Sequence, residues 1–209
     1  MIKTDKYHIR FFQVGDKTKG GDAIVIELFD ENDTPHIMII DGGYKETGDS
    51  IVKYLKGKYS KDGKPVHIDF VFNTHPDLDH ISGLKSILSS DDLTVGFLAF
   101  NRPWRDGGLK RTDFDDKRIT KDSLINRIKE EFAMADDLES IAEEKKIRMT
   151  EVKQGRSAYN GIIKILGPSD TFYKQHLLMS DKTPDNFLNK YNHPYAPTTT
   201  EEEDYTPVY

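Results

Sequence analysis

Apolar positions along this chain recur first with a strand-like beat of two and later with a helical beat. Residues 8–15 and 21–29 mix alternating and continuous apolar positions and read as two strands joined by a Lys/Gly turn. A turn cluster at 30–35 separates them from a third strand, His36 to Ile40, which ends in Asp41-Gly42-Gly43. Asp49 or Ser50 can cap a short helix with Ile51, Tyr54 and Leu55 on one face, and residues 56–64 form a lysine-rich connection. Ile68 to Phe72 is a buried strand; Ile81, Leu84 and Leu88 then take up helical spacing, and residues 94–100 form another strand.

Residues 107–120 are charged and lead to the longest expected helix, starting at Thr120 or Asp122 and reaching about Lys145. Leu124, Ile128, Phe132, Ala135, Leu138 and Ala142 mark its buried stripe, opposite a solvated charged face. Strands follow at 147–152 and 161–166, and Ser169 can cap a short helix from Phe172 to Met179. Beyond Ser180, prolines, consecutive threonines and the acidic run 201–204 describe a polar tail with no core face. The expectation is one α/β domain over 1–180 and a tail over 181–209.

The chemistry concentrates where the 68–72 strand ends. Pro76 holds His75 extended, and His75, Asp77, Asp79 and His80 follow within six residues, on a loop between strand and helix. Such loops are favoured ligand positions in α/β sheets. Imidazole nitrogens and carboxylates are what a hydrolytic divalent metal takes from a protein. In an extended segment, 75, 77 and 79 project to one side while Asp79 and His80 diverge, so the loop could serve two ions. One would use His75 with Asp77, the other Asp79 with His80. The competing use is a polar turn in which Asp77 and Asp79 cap the next helix, but a cap needs one acid, not two between two histidines. Asp41 could hold this loop by hydrogen-bonding its backbone or a ligand histidine; the alternative is an ordinary Asp-Gly turn. His36, His67 and His176 read as packed structural histidines, and His193 as the one late histidine with a chance of reaching a metal. Trp104 reads as packing a loop onto the core, with Arg102 and Arg105 as candidate phosphate contacts.

His75-x-Asp77-x-Asp79-His80 resembles the His-x-His-x-Asp-His signature of the metallo-β-lactamase superfamily. The aspartate variant, set between Thr-His-Pro and Ser-Gly-Leu, is similar to the hydrolase-like domains of the ComEC competence group and their soluble relatives. Gly20-Gly-Asp22-Ala, Asp41-Gly-Gly, Asn101-Arg-Pro-Trp104 and Ile165-Leu-Gly-Pro168 agree, so the resemblance spans roughly residues 8–180. It implies an αββα sandwich and metal-dependent hydrolysis, most plausibly of a phosphodiester or nucleotide. Zn²⁺ or Mn²⁺ would be held as one or two ions by His75, Asp77, Asp79 and His80, with Asp79 also the water-orienting base and Asp41 behind the ligands. The family completes its site with a Thr-Gly-Asp turn and a last histidine. Neither follows residue 84 in the expected form, so the resemblance implies only the N-terminal portion of the fold. A catalytically incomplete scaffold, or a chain completed by a partner or a second copy, is the alternative.

Composition narrows this further. The 209 residues include no cysteine, which removes disulfides and thiolate ligands. A net charge of −6 argues against a broad nucleic-acid surface. With 32% charged residues, no spanning-length apolar run and no apolar segment in its first residues, a cytoplasmic location is expected.

Overall fold

The computed structural model describes residues 1–16, 20–105, 108–114, 118, 120–180 and 182–183. The tail beyond 183, and His193 with it, lies outside the described residues. Six strands form one sheet in sequential order: β1 (Ile2–Phe11), β2 (Ala23–Asp30), β3 (Pro35–Gly42), β4 (Val66–Phe72), β5 (Leu93–Ala99) and β6 (Arg148–Thr150). The first three are antiparallel and the last four mutually parallel. Parallel neighbours require crossovers, supplied by α1 (Lys45–Tyr59), α2 (Leu78–Ser89) and the pair α3 (Lys121–Glu131) and α4 (Ala133–Glu144). A small antiparallel ribbon, β7 (Ser157–Ala158) and β8 (Ile163–Lys164), precedes α5 (Asp170–Met179). This is the mixed α/β architecture expected from the alternation of strand and helix patterns. No described helix is long and apolar enough to cross a membrane.

Register explains the core. Val25, Ile39, Val71 and Leu98 stand opposite one another across β2 to β5, and all four are fully buried. With Ile51 and Leu55 of α1, Ile81 and Leu84 of α2, and Leu138 of α4, they make one cluster. Each such side chain contributes about 1.5–3 kcal/mol on burial, more than an exposed ion pair offers. The neighbouring row, Ile26, Met38, Phe70 and Phe97, belongs to the opposite face. There Phe70 stacks on Phe97 at 5.5 Å and meets Tyr159, beside the ribbon, edge-on at 5.8 Å.

Several expected boundaries shift. The first helix begins at Lys45, not Asp49, and runs through Tyr59, so Lys56 and Lys58 lie in its last turn rather than in a loop. Cations there suit the helix dipole. The helix expected from 120 to 145 is two, broken at Phe132, whose φ/ψ of −108°/38° is not helical. The stripe of apolar positions keeps its phase across the break, so periodicity carries no trace of it. The strand expected at 161–166 contributes only two residues to the ribbon. Within the charged stretch, Leu109 and Phe114 are buried against the core, so it is anchored at two points.

Candidate metal centre

The site is built where β3 and β4 end side by side. Between Ala23↔Gly42 and Ile24↔Ile40 the β2–β3 register slips, leaving Asp41 as the unpaired extra residue at φ 54°. Such a bulge re-aims a side chain, and that of Asp41 is fully buried behind the 73–80 loop. Two glycines set the spacing. A Cβ on Gly83 would lie 1.9 Å from Gly42 O, and one on Gly42 would lie 2.4 Å from Leu84 N. Only glycine allows the first turns of α2 to seat on the end of β3, which brings His80 to Asp41.

Asp41 then organises the loop. Its Oδ1 accepts from Asn73 Nδ2 at 3.1 Å and Thr74 N at 2.8 Å, and its Oδ2 accepts from Thr74 Oγ1 at 2.5 Å. His80 Nδ1 is 3.0 Å from the same Oδ2. A carboxylate only accepts, so His80 donates through Nδ1, and its Nε2 is the lone-pair nitrogen. Thr74 has one hydroxyl proton and gives it to Asp41; its oxygen therefore accepts from His75 Nδ1, 2.9 Å away. His75 Nε2 is left as a lone pair as well. One carboxylate thus selects the metal-binding tautomer of both imidazoles, directly for His80 and through Thr74 for His75.

The two rings lie with centroids 3.9 Å apart. His75 Nε2 is 3.6 Å from Asp77 Oδ2, and His80 Nε2 is 3.7 Å from Asp79 Oδ2. Neighbouring ligands around a tetrahedral ion with ~2.0–2.1 Å bonds are separated by ~3.3 Å. The observed separations are slightly wider than that, and longer than a hydrogen bond. Each nitrogen–carboxylate pair is therefore spaced as two ligands of one divalent cation would be. Ligand atoms of Asp41, His75 and His80 also gather within 4.8 Å. With four donors already on its oxygens, however, Asp41 is an orienting group more than a ligand.

Asp77 occupies the N-cap position of α2 yet makes no side-chain cap hydrogen bond. Capping therefore does not account for it. Instead it pairs with Lys182 at 3.1 Å, and that ammonium holds its carboxyl below the usual range. Asp79 lies in the first turn of α2, a third exposed, where a carboxylate also suits the helix dipole. Asp22, contributed by the lead-in to β2, has Oδ2 3.9 Å from His80 Nδ1 and is largely exposed.

Sequence reasoning passed over Asn73, Thr74, Asp22 and Lys182. The first two carried a usable signal, a polar pair between an apolar strand and a His-Pro step. The charged face of α4 is also not wholly solvated. Glu139 is buried and receives Trp104 Nε1 at 2.9 Å, Arg102 Nη1 at 2.9 Å, Arg105 Nη2 at 3.0 Å and Lys129 Nζ at 3.2 Å. Burial raises its pKa, but these donors outweigh that and leave it lowered. Arg102 is further bound by Glu151 and largely enclosed, while Arg105 keeps half of its side chain exposed beside Glu139. Trp104 packs into the core as expected. His36 pairs with Asp69 and His67 with Thr94, away from the cluster. His176 does not pack into the core; it is exposed and lines a cleft shared with His75.

Residues 18–129 match the family model described as the metallo-beta-lactamase superfamily. No curated protein matches the chain. Among solved structures, the chain is similar to a candidate metallo-beta-lactamase from Thermotoga maritima at 13% identity and a TM-score of 0.42. The likeness covers 77% of this chain and 65% of that one, so the chain spans slightly less than two thirds of that protein's length.

Proposed function

Because this chain belongs to the metallo-β-lactamase superfamily, we propose that it is a metal-dependent hydrolase acting on a phosphodiester. The observation that carries the metal-dependent part is the pairing of Nε2 atoms with carboxylates, His75 with Asp77 and His80 with Asp79, under tautomers set by Asp41. A divalent ion bound there supplies Lewis acidity, activating water and offsetting charge on the ester oxygens. His75, Asp77, Asp79 and His80 would hold it as one or two ions. Asp79, only partly buried, would orient the attacking water and accept its proton. Two carboxylates among four ligands make the set harder than an all-histidine one, so Mn²⁺ competes with Zn²⁺.

Support for the phosphodiester comes from the aspartate variant of the motif, which resembles the ComEC group. Arg102 is held by Glu139 and Glu151 and Arg105 by Glu139; among the described residues, the cation paired with a motif carboxylate is Lys182, on Asp77. A panel of chromogenic phosphodiester, β-lactam and thioester substrates, each with Mn²⁺ or Zn²⁺, tests the reading. The diester should turn over fastest, and faster cleavage of a lactam or thioester would reject it.

One observation favours a second reading, a scaffold that associates with its own copy. Edge strand β1 exposes Tyr7, Ile9 and Phe11 at 56%, 49% and 73%. They alternate, so one face of an edge carries an apolar strip beside unpaired backbone groups. Light scattering on the parent and on Ile9→Lys separates the readings. A dimer that the lysine dissociates supports association, and a monomer at high concentration excludes it.

A further inference from the structure

Beside His75 lies a cleft of about 490 Å³, a size that suits one small ligand. Thr74 and His75 form part of its wall, so anything seated in it borders the candidate metal centre. Much of the lining is apolar ring surface, from Pro76, Pro103, Phe132, Pro168, Phe172 and Tyr173. Phe172 is 55% exposed and lies against His176 with ring centroids 4.1 Å apart and the planes tilted by 39°, making an open aromatic surface. Among the described residues no lysine or arginine lines the cleft, and Arg102 and Arg105 pair with glutamates. A run of phosphates finds no cation to follow here.

Two polar groups in the walls lack partners. Asn101 Oδ1 accepts from Val152 N at 2.9 Å, which fixes the orientation of the amide. Its NH2 then has no protein acceptor among the described residues. The Tyr173 hydroxyl is buried and also without a partner among them. A planar ring lays its face on Phe172, as an aliphatic group cannot, and a ring that carries an acceptor on its edge also meets the Asn101 amide.

We infer that this cleft seats a single planar ring carried next to the scissile phosphoester. The substrate class is therefore a small aryl or heteroaryl phosphoester rather than a nucleic-acid polymer read along its backbone. The inference rests on the hydrolase reading for the identity of the ester, and on the cleft alone for the ring.

Calorimetry with phenyl phosphate and methyl phosphate, on the metal-loaded full chain, tests it without turnover. In the parent, phenyl phosphate should bind about tenfold more tightly, the upper end for one aromatic contact. Phe172→Ala, at a largely exposed position, should reduce that ratio toward unity, and Phe172→Trp should keep it. Equal affinities in the parent, or a ratio unchanged in Phe172→Ala, would overturn the inference. A ring preference in a protein that hydrolyses no diester would uphold the cleft and count against the hydrolase reading. Diester turnover with no ring preference would do the reverse.

Discussion

Asp41→Asn isolates what the buried carboxylate does. Asparagine tolerates the left-handed backbone at φ 54°, so the bulge is kept and only the hydrogen-bond pattern changes. An amide retains one oxygen, which can still serve Asn73 Nδ2 and Thr74 N, as Oδ1 does now. Its NH2 then faces Thr74 Oγ1 and His80 Nδ1, which at present donate to Oδ2. Both must turn into acceptors. His80 would move its proton to Nε2, and Thr74 would redirect its proton to His75 Nδ1, driving that ring's proton to Nε2 as well. Each metal-facing nitrogen would then carry a hydrogen. Loss of such an orienting partner typically costs 10–100-fold in metal affinity, about 1.4–2.8 kcal/mol. Hydrogen bonds to a charged group contribute about 1.5–3 kcal/mol each, so metal-free stability should also fall, by about 2–4 kcal/mol after relaxation. Calorimetric titration with Zn²⁺ and Mn²⁺, nitrogen NMR of the imidazoles and denaturant unfolding measure the three effects. Parent-like affinity with both histidines still protonated on Nδ1 would refute the reasoning.

Two further outcomes follow from the packing. Glu139→Gln removes the charge that Arg102, Arg105 and Lys129 share, and should destabilise by about 3–5 kcal/mol in chemical unfolding, as when one partner leaves a buried ion cluster. Because the folded pKa of Glu139 is lowered from 4.5, its stabilisation is present above that value and lost as pH falls through the folded pKa; the stability of the parent should therefore fall more steeply below about pH 4.5 than that of the variant. Gly83→Ala drives a Cβ into Gly42 O, so α2 must lift from β3; a loss of roughly 3 kcal/mol or more and weakened metal binding are expected, and a parent-like melting curve would argue against this contact as the seat of His80.

What could be read in the sequence was what is local. The His75–His80 loop stands out because four ligand types crowd one strand end, and Asp41-Gly42-Gly43 because a turn there needs permissive residues. Asp41 reads from the sequence as a support for the loop, but its route to His75 through Thr74 depends on a register slip between β2 and β3 that no residue pattern announces. The break at Phe132 was hidden because Ile128, Phe132 and Ala135 stay on one helical stripe across it. Glu139 could have been suspected, since it falls four residues after Ala135, inside the stripe that buries Leu138 and Ala142. What it pairs with comes from a loop more than thirty residues earlier and from α3, and long-range pairings of that kind leave no periodic mark.

The central claim is that the 75–80 loop holds a divalent metal. Elemental analysis of the protein purified without added metal, beside His75→Ala and Asp79→Ala, tests it most directly. The account predicts metal in the parent and a clear reduction in both variants, each of which removes one member of a nitrogen–carboxylate pair. Equal metal content in all three proteins would contradict it.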